Sequence, residues 1–243
     1  MVLLMLLASL VGAIVGSFLT VLAERVPRAT ASGPDGQHAG RIVDDVPLLH
    51  PGSWRHPRPD RPVAVRFPVL ELVTAALFAA MAGLFGWSWA LPAFLVLAAA
   101  SVLLSVIDLQ HHRLPNVVVG WFAVAAFALL LVDTVARGAW ASLLSGLAGA
   151  AISFVIYLVL ALVSPSSLGM GDVKLAGVLG LYLGYLGWRT LFLGMLGGFV
   201  IAAVVGGLLL ALRRANRRTQ LPFGPSMTAA ALIAVALGVG QPW

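Results

Sequence analysis

Residues 140–163 read WASLLSGLAGAAISFVIYLVLALV, twenty-four positions without a charge. As an α-helix this run is about 36 Å long, enough to cross a hydrocarbon core of roughly 30 Å. A helix satisfies its own backbone hydrogen bonds, which is what a waterless bilayer demands. The same ruler picks out seven further runs, approximately Val2–Leu22, Phe67–Phe85, Ser88–Ile107, Val117–Val135, Val173–Trp188, Thr190–Leu212 and Phe223–Gly240. The fold class is therefore all-α, a polytopic membrane protein with about eight transmembrane helices. Composition agrees, because 60% apolar and 10% charged residues, with a mean hydropathy of +1.01, leave too little polar surface to solvate a globule of 243 residues.

The sixth run is short and carries glycine at 177, 180, 184 and 187. Small residues at that spacing let helix backbones approach closely, so this span is expected among its neighbours rather than against lipid. The first run has no basic residues before it, and Glu24, Arg25 and Arg28 follow it, which reads as an uncleaved anchor. Residues 23–66 are rich in Pro, Gly, Asp and Arg without helical or strand periodicity, and form a long loop or small subdomain. Two regions follow: 1–66, the first helix plus this loop, and 67–243, a seven-helix membrane unit.

The net charge of +6 sits in short gaps between apolar runs rather than along one stripe, so it speaks of topology and not of nucleic acid. The first gap holds seven Lys or Arg, the third one, the fifth one and the seventh four, thirteen of the fifteen in the chain. The even gaps hold only Arg137 and Arg189. The positive-inside rule then puts the odd gaps, including the long loop, in the cytoplasm and both termini outside. The Arg213 to Arg218 cluster fits anchoring to anionic lipid.

On that assignment Asp108 ends the third span and Asp172 opens the sixth, both at the cytoplasmic face. Two carboxylates at one depth are what metal-free hydrolysis requires. One takes a proton from water while the other protonates the carbonyl oxygen or the leaving amine, and neighbouring like charges share a proton readily. Residue type alone equally admits helix caps, Asp172 being well placed as an N-cap after Gly169-Met170-Gly171, or an ion or proton pathway. A small transporter or a non-catalytic assembly factor would use the same acids structurally. A transporter would more typically show internal repeats, and none is evident. With no Cys and no Gly-x-Ser-x-Gly elbow, a Cys or Ser hydrolase is disfavoured.

Five segments narrow this reading. Ser167-Leu168-Gly169-Met170-Gly171-Asp172-Val173-Lys174-Leu175 contains the Gly-x-Gly-Asp pattern of membrane aspartyl proteases and resembles the prepilin peptidases in particular. Gly16-Ser17-Phe18-Leu19-Thr20-Val21 with Arg25-Val26-Pro27-Arg28 is similar to that family's opening segment, and Arg66-Phe67-Pro68-Val69-Leu70-Glu71-Leu72 to its entry into the second helix. Asp108 followed by Leu114-Pro115-Asn116 resembles its first catalytic aspartate and turn, and Pro222-Phe223-Gly224-Pro225 its segment at the last helix.

The resemblance implies cleavage of a short basic leader from type IV pilin-like precursors at the cytoplasmic face of the bacterial inner membrane, after a Gly, by direct attack of water. Asp108 and Asp172 are the implied catalytic pair. Gly169, Gly171, Lys174, Glu71 and Pro222 to Pro225 are the implied substrate-contacting or supporting residues, with no metal. The implied partners are the pilin-like precursor and the bilayer. Many members also methylate the new N-terminus with S-adenosylmethionine and carry two Cys-x-x-Cys pairs in the first loop. This chain has no Cys, which leaves methyl transfer an open second activity.

Glu71, about one turn inside the second span, either snorkels, pairs with Arg66 or lines a methyl-transfer site. Lys174 is expected to snorkel, being two residues from Asp172 and so on another helix face. Asp133 and Arg137, four apart, read as a helix-end pair. His38, His50 and His56 lie at irregular spacing in the polar loop and read as solvated side chains, and the His111-His112 pair as turn chemistry.

Overall fold

The computed structural model describes residues 1–25, 69–111, 114–163, 168–212 and 222–239. The loop histidines, Arg66, His112 and the Arg213 to Arg218 cluster lie outside these residues. Eight helices are found among the described residues: α1 (Val2–Arg25), α2 (Val69–Phe85), α3 (Leu91–His111), α4 (Asn116–Arg137), α5 (Trp140–Val163), α6 (Met170–Tyr185), α7 (Trp188–Ala211) and α8 (Gly224–Gly238). Five of them, α1, α3, α4, α5 and α7, are long and apolar enough to cross a membrane, while α2 and α8 are shorter apolar helices. The all-helical, multi-pass reading holds, with ends shifted by a few residues. The largest shift matters most: α3 runs on to His111, so Asp108 lies inside the helix and not at its end.

The even-gap connections are tight. Gly86, Gly138 and Gly187 take positive φ angles of 57°, 69° and 116°, conformations that suit glycine, and end α2, α4 and α6. Trp87, Trp89, Trp140 and Trp188 flank these turns and are exposed, as in the aromatic belt that anchors helices at a membrane interface.

Helix α6 is the centre of the bundle, packed by α4, α5, α7 and α8. Every residue from Val178 to Leu186 is buried, as the glycine spacing predicts. A Cβ on Gly149 would stand 2.6 Å from the Gly180 carbonyl oxygen, and one on Gly184 would stand 2.6 Å from that of Ser145, so the close crossing of α5 and α6 needs glycine at both. Tyr182 is fully buried, its ring against Phe94 and Phe122 and its hydroxyl donating to the Ala93 carbonyl at 2.9 Å. With sixteen residues α6 is only about 24 Å long. It runs antiparallel to α5, with Gly184 against Ser145 and Gly177 against Phe154.

At the Trp-lined end, Asp133 is fully buried. The Arg137 guanidinium grips both of its oxygens, Nε to Oδ1 at 2.8 Å, and the Tyr185 hydroxyl donates to Oδ2 at 2.7 Å. The expected helix-end pair is present, and through Tyr185 it also ties α4 to the end of α6.

Candidate active site

Asp108 lies three residues before the end of α3 and is 4% exposed. Its Oδ2 accepts the backbone N–H of Gly224, the first residue of α8, at 2.9 Å. This N–H is one that a helix start leaves without an intrahelical partner, and it sits at the positive end of the helix dipole, a natural seat for a carboxylate. A Cβ on residue 224 would stand 2.8 Å from that Oδ2, so only glycine admits the approach. One turn deeper, the Ser105 and Thr228 hydroxyls are hydrogen-bonded at 2.9 Å and hold α3 against α8 in register.

Asp172 is the third residue of α6, with Gly169 as the N-cap. The alternative of Asp172 as an N-cap does not hold. Its Oδ2 accepts the Gly169 N–H at 3.1 Å from inside the first turn, because a glycine N-cap has no side chain of its own to close the box. The carboxyl is half-buried and lies within the electrostatic field of Asp108. The field of Asp172 in turn reaches Tyr157. Tyr157 belongs to an aromatic cluster, its ring centroid 5.3 Å from Phe199 and 6.2 Å from Phe223, with Phe199 and Phe223 5.3 Å apart. Phe223 immediately precedes Gly224, so the cluster adjoins both acids.

The two motif glycines differ. A Cβ on Gly171 would meet the Leu114 Cβ at 2.8 Å, so this glycine lets α6 pack on the α3–α4 turn. A Cβ on Gly169 would meet little beyond the Asp172 Oδ2 at 3.5 Å, so its missing side chain leaves space beside that carboxylate. Lys174 does not simply snorkel: its Nζ donates to Asn116 Oδ1 at 2.9 Å, tying the start of α6 to the start of α4. Pro222, Phe223 and Pro225 are half-buried at the start of α8.

Glu71 is 7% exposed, and both of its carboxylate oxygens are buried without a hydrogen-bond partner among the described residues, so it does not snorkel. Gly16 of α1 is stacked on its backbone, where a Cβ would meet the Glu71 Cα at 2.7 Å. The preceding Leu70 packs in a cluster with Val106 and Ile107, which brings this third acid one helix away from Asp108.

Residues 95–211, from within α3 to the end of α7 and so including both aspartates, match the model of the type IV leader peptidase family. A prepilin leader peptidase/N-methyltransferase of Burkholderia pseudomallei is 31% identical over 97% of this chain and 85% of its own length. The chain belongs to the type IV leader peptidase family. Among other members of this family, proteins of the same description from Pseudomonas aeruginosa and Bacillus subtilis are 29% and 30% identical, over 94% and 72% of this chain and 89% and 68% of their own lengths. No solved structure matches the chain. A leader peptidase built on two carboxylates needs both on one side of a single reacting bond. Sequence reading placed Asn116 in the turn after Asp108 but did not foresee its bond to Lys174, and it missed Tyr157. Tyr157 had a signal, being one of only three tyrosines in the chain, set in an otherwise aliphatic run.

Proposed function

We infer that Asp108 and Asp172 are the catalytic pair of a membrane aspartic leader peptidase whose substrate is a type IV pilin-like precursor. The observation that supports the reading is that both acids stand at the same end of the bundle, one seated on the Gly224 N–H and the other within reach of its charge. The ionised member of the pair takes a proton from water as the water oxygen attacks the carbonyl carbon. The protonated member gives its proton to the carbonyl oxygen. Collapse of the resulting diol breaks the C–N bond, the leaving amine taking the proton that the first carboxylate received from water while a diol hydroxyl returns a proton to the second, and no acyl-enzyme forms.

The Lys and Arg distribution supports placing this end in the cytoplasm and both termini outside, in the bacterial inner membrane. A basic leader then stays in the cytoplasm while the apolar segment after it enters the bilayer. Gly169, Gly171, Lys174 and the 222–225 segment serve as supporting residues, and residues 67–243 form the peptidase unit.

Several relatives are described as N-methyltransferases as well, and we extend that activity to this chain with S-adenosylmethionine as donor and 1–66 as its reduced region. The buried Glu71 carboxylate, without a hydrogen-bond partner among the described residues, suits a cationic group, and we assign it to the ammonium of the new N-terminus. The test is incubation of the purified protein with a pilin-like precursor and S-adenosylmethionine, read by mass spectrometry. A product beginning after the leader Gly supports the peptidase, an added methyl group supports the transferase, and an intact precursor refutes the first reading.

A further inference from the structure

At the Trp-lined end, away from the two aspartates, the turn between α2 and α3 and the adjoining ends of α4, α5, α6 and α8 enclose a cavity of about 240 Å³. Phe94 lines it and precedes Asp108 on α3 by roughly four helical turns, so the cavity lies about 21 Å from the level of that acid. Much of its wall is apolar: Leu84, Leu186 and the stacked rings of Phe85 and Phe94, whose centroids are 4.0 Å apart. Arg137, Ser88 and Ser142 also line it.

These groups hold donors in excess of acceptors. Asp133 takes the Nε and Nη2 edge of the Arg137 guanidinium, which fixes the fork and leaves Nη1 without a partner among the described residues. The Ser88 Oγ is buried and likewise has no partner among them. No carboxylate lines the cavity among the described residues. Leaving a buried hydroxyl unbonded is costly, and an occupant rich in acceptor oxygens removes that cost. A phosphate group has this character, and its oxygens suit a guanidinium held in place.

Depth and charge decide where the phosphate comes from. Trp87 and Trp89 on either side of Ser88, and Trp140 shortly before Ser142, are exposed, which places the cavity at the headgroup level of a bilayer. Asp133 offsets the Arg137 charge, so a free phosphate dianion would surrender its hydration for little return. A lipid phosphodiester carries a single charge, already resides at this depth and brings its glycerol carbons to the apolar wall.

We propose that this cavity is a binding site for the phosphate of a membrane phospholipid, with Arg137 Nη1 and Ser88 Oγ donating to its oxygens. A lipid seated there ties the α2–α3 turn to the ends of α4, α5 and α6, and so secures the far end of the helix that carries Asp172. Because the site exists only in the folded bundle, its occupant raises the stability of the fold by linkage.

The experiment uses the full-length protein, purified and delipidated in detergent. Tm and the mass of bound molecules, by native mass spectrometry, are measured as phosphatidylglycerol, phosphatidylethanolamine, diacylglycerol or inorganic phosphate is added. Each phospholipid is expected to raise Tm by several degrees and to leave a lipid bound, whereas diacylglycerol, which lacks the phosphate, and inorganic phosphate should do neither. Ser88→Ala removes a donor and keeps the cavity, and should weaken phospholipid binding about fivefold. Ser142→Leu fills the cavity and should abolish the shift with helix content unchanged; Ser88→Ala carries the test alone if that variant does not fold. An equal shift from diacylglycerol would overturn the proposal by reducing the effect to solvation of apolar surface, and an equal shift from inorganic phosphate would overturn the lipid source. Phospholipid binding undiminished in Ser88→Ala would place the lipid elsewhere and overturn the site.

Discussion

The backbone N–H of Gly224 donates to Asp108 Oδ2 at 2.9 Å across 116 residues of chain, fixing the start of α8 against the buried acid of α3. A methyl group at 224 would stand 2.8 Å from that oxygen. Gly224→Ala should therefore displace the carboxylate and lower kcat by about a hundredfold, the order expected when one positioned group of an active site is moved. The helix content should persist, as circular dichroism in detergent would report. Near-parental kcat in this variant would show that the contact does not position Asp108.

Gly169→Ala and Gly171→Ala should fail in different ways. A side chain at 171 meets Leu114 at 2.8 Å, so that variant should lower Tm by disturbing the packing of α6 on the α3–α4 turn. A side chain at 169 has room but stands beside Asp172, so that variant should keep its Tm and lose cleavage. Thermal unfolding and cleavage rates measured side by side separate the two.

Lys174 and Asn116 form one bond at 2.9 Å between the starts of α6 and α4. Lys174→Met and Asn116→Ala should each slow cleavage several-fold by loosening the turn that carries Asp172. The double variant should be no slower than either single one, the signature of a shared interaction. Multiplying effects would mean that the two residues act separately.

Asp133, Arg137 and Tyr185 lie at the opposite end and should govern stability alone. Arg137→Ala leaves the buried Asp133 carboxylate with the Tyr185 hydroxyl as its remaining partner among the described residues, and should cost about 1–3 kcal/mol, less than a fully buried pair because the Arg137 side chain is 43% exposed. Tyr185→Phe should cost about 1 kcal/mol. Chemical unfolding in detergent should show these losses while kcat of the folded fraction is unchanged.

The helices were legible because bilayer thickness imposes a length and apolarity that any sequence must declare. The burial of α6 was equally legible, since Gly177, Gly180 and Gly184 have no better use than close packing. Asp108 and Asp172 stood out as acids beside long apolar runs. Their partners did not, because a backbone N–H such as that of Gly224 carries no residue-type signature, and its choice of acceptor is settled by how α3 and α8 cross. The same holds for Tyr185 meeting Asp133 from 52 residues away and for Lys174 reaching Asn116. Residue type admitted Asp172 as an N-cap, and the glycine three places earlier takes that position because the helix starts at Met170.

The central claim is that Asp108 and Asp172 work as one unit on one bond. It is tested most directly by measuring cleavage of a pilin-like precursor by Asp108→Asn, Asp172→Asn and the double variant, with each confirmed as folded by its thermal transition. The account predicts that each single change abolishes cleavage and that the double variant is no worse, since residues acting together are not additive. Near-normal cleavage by either single variant would contradict it.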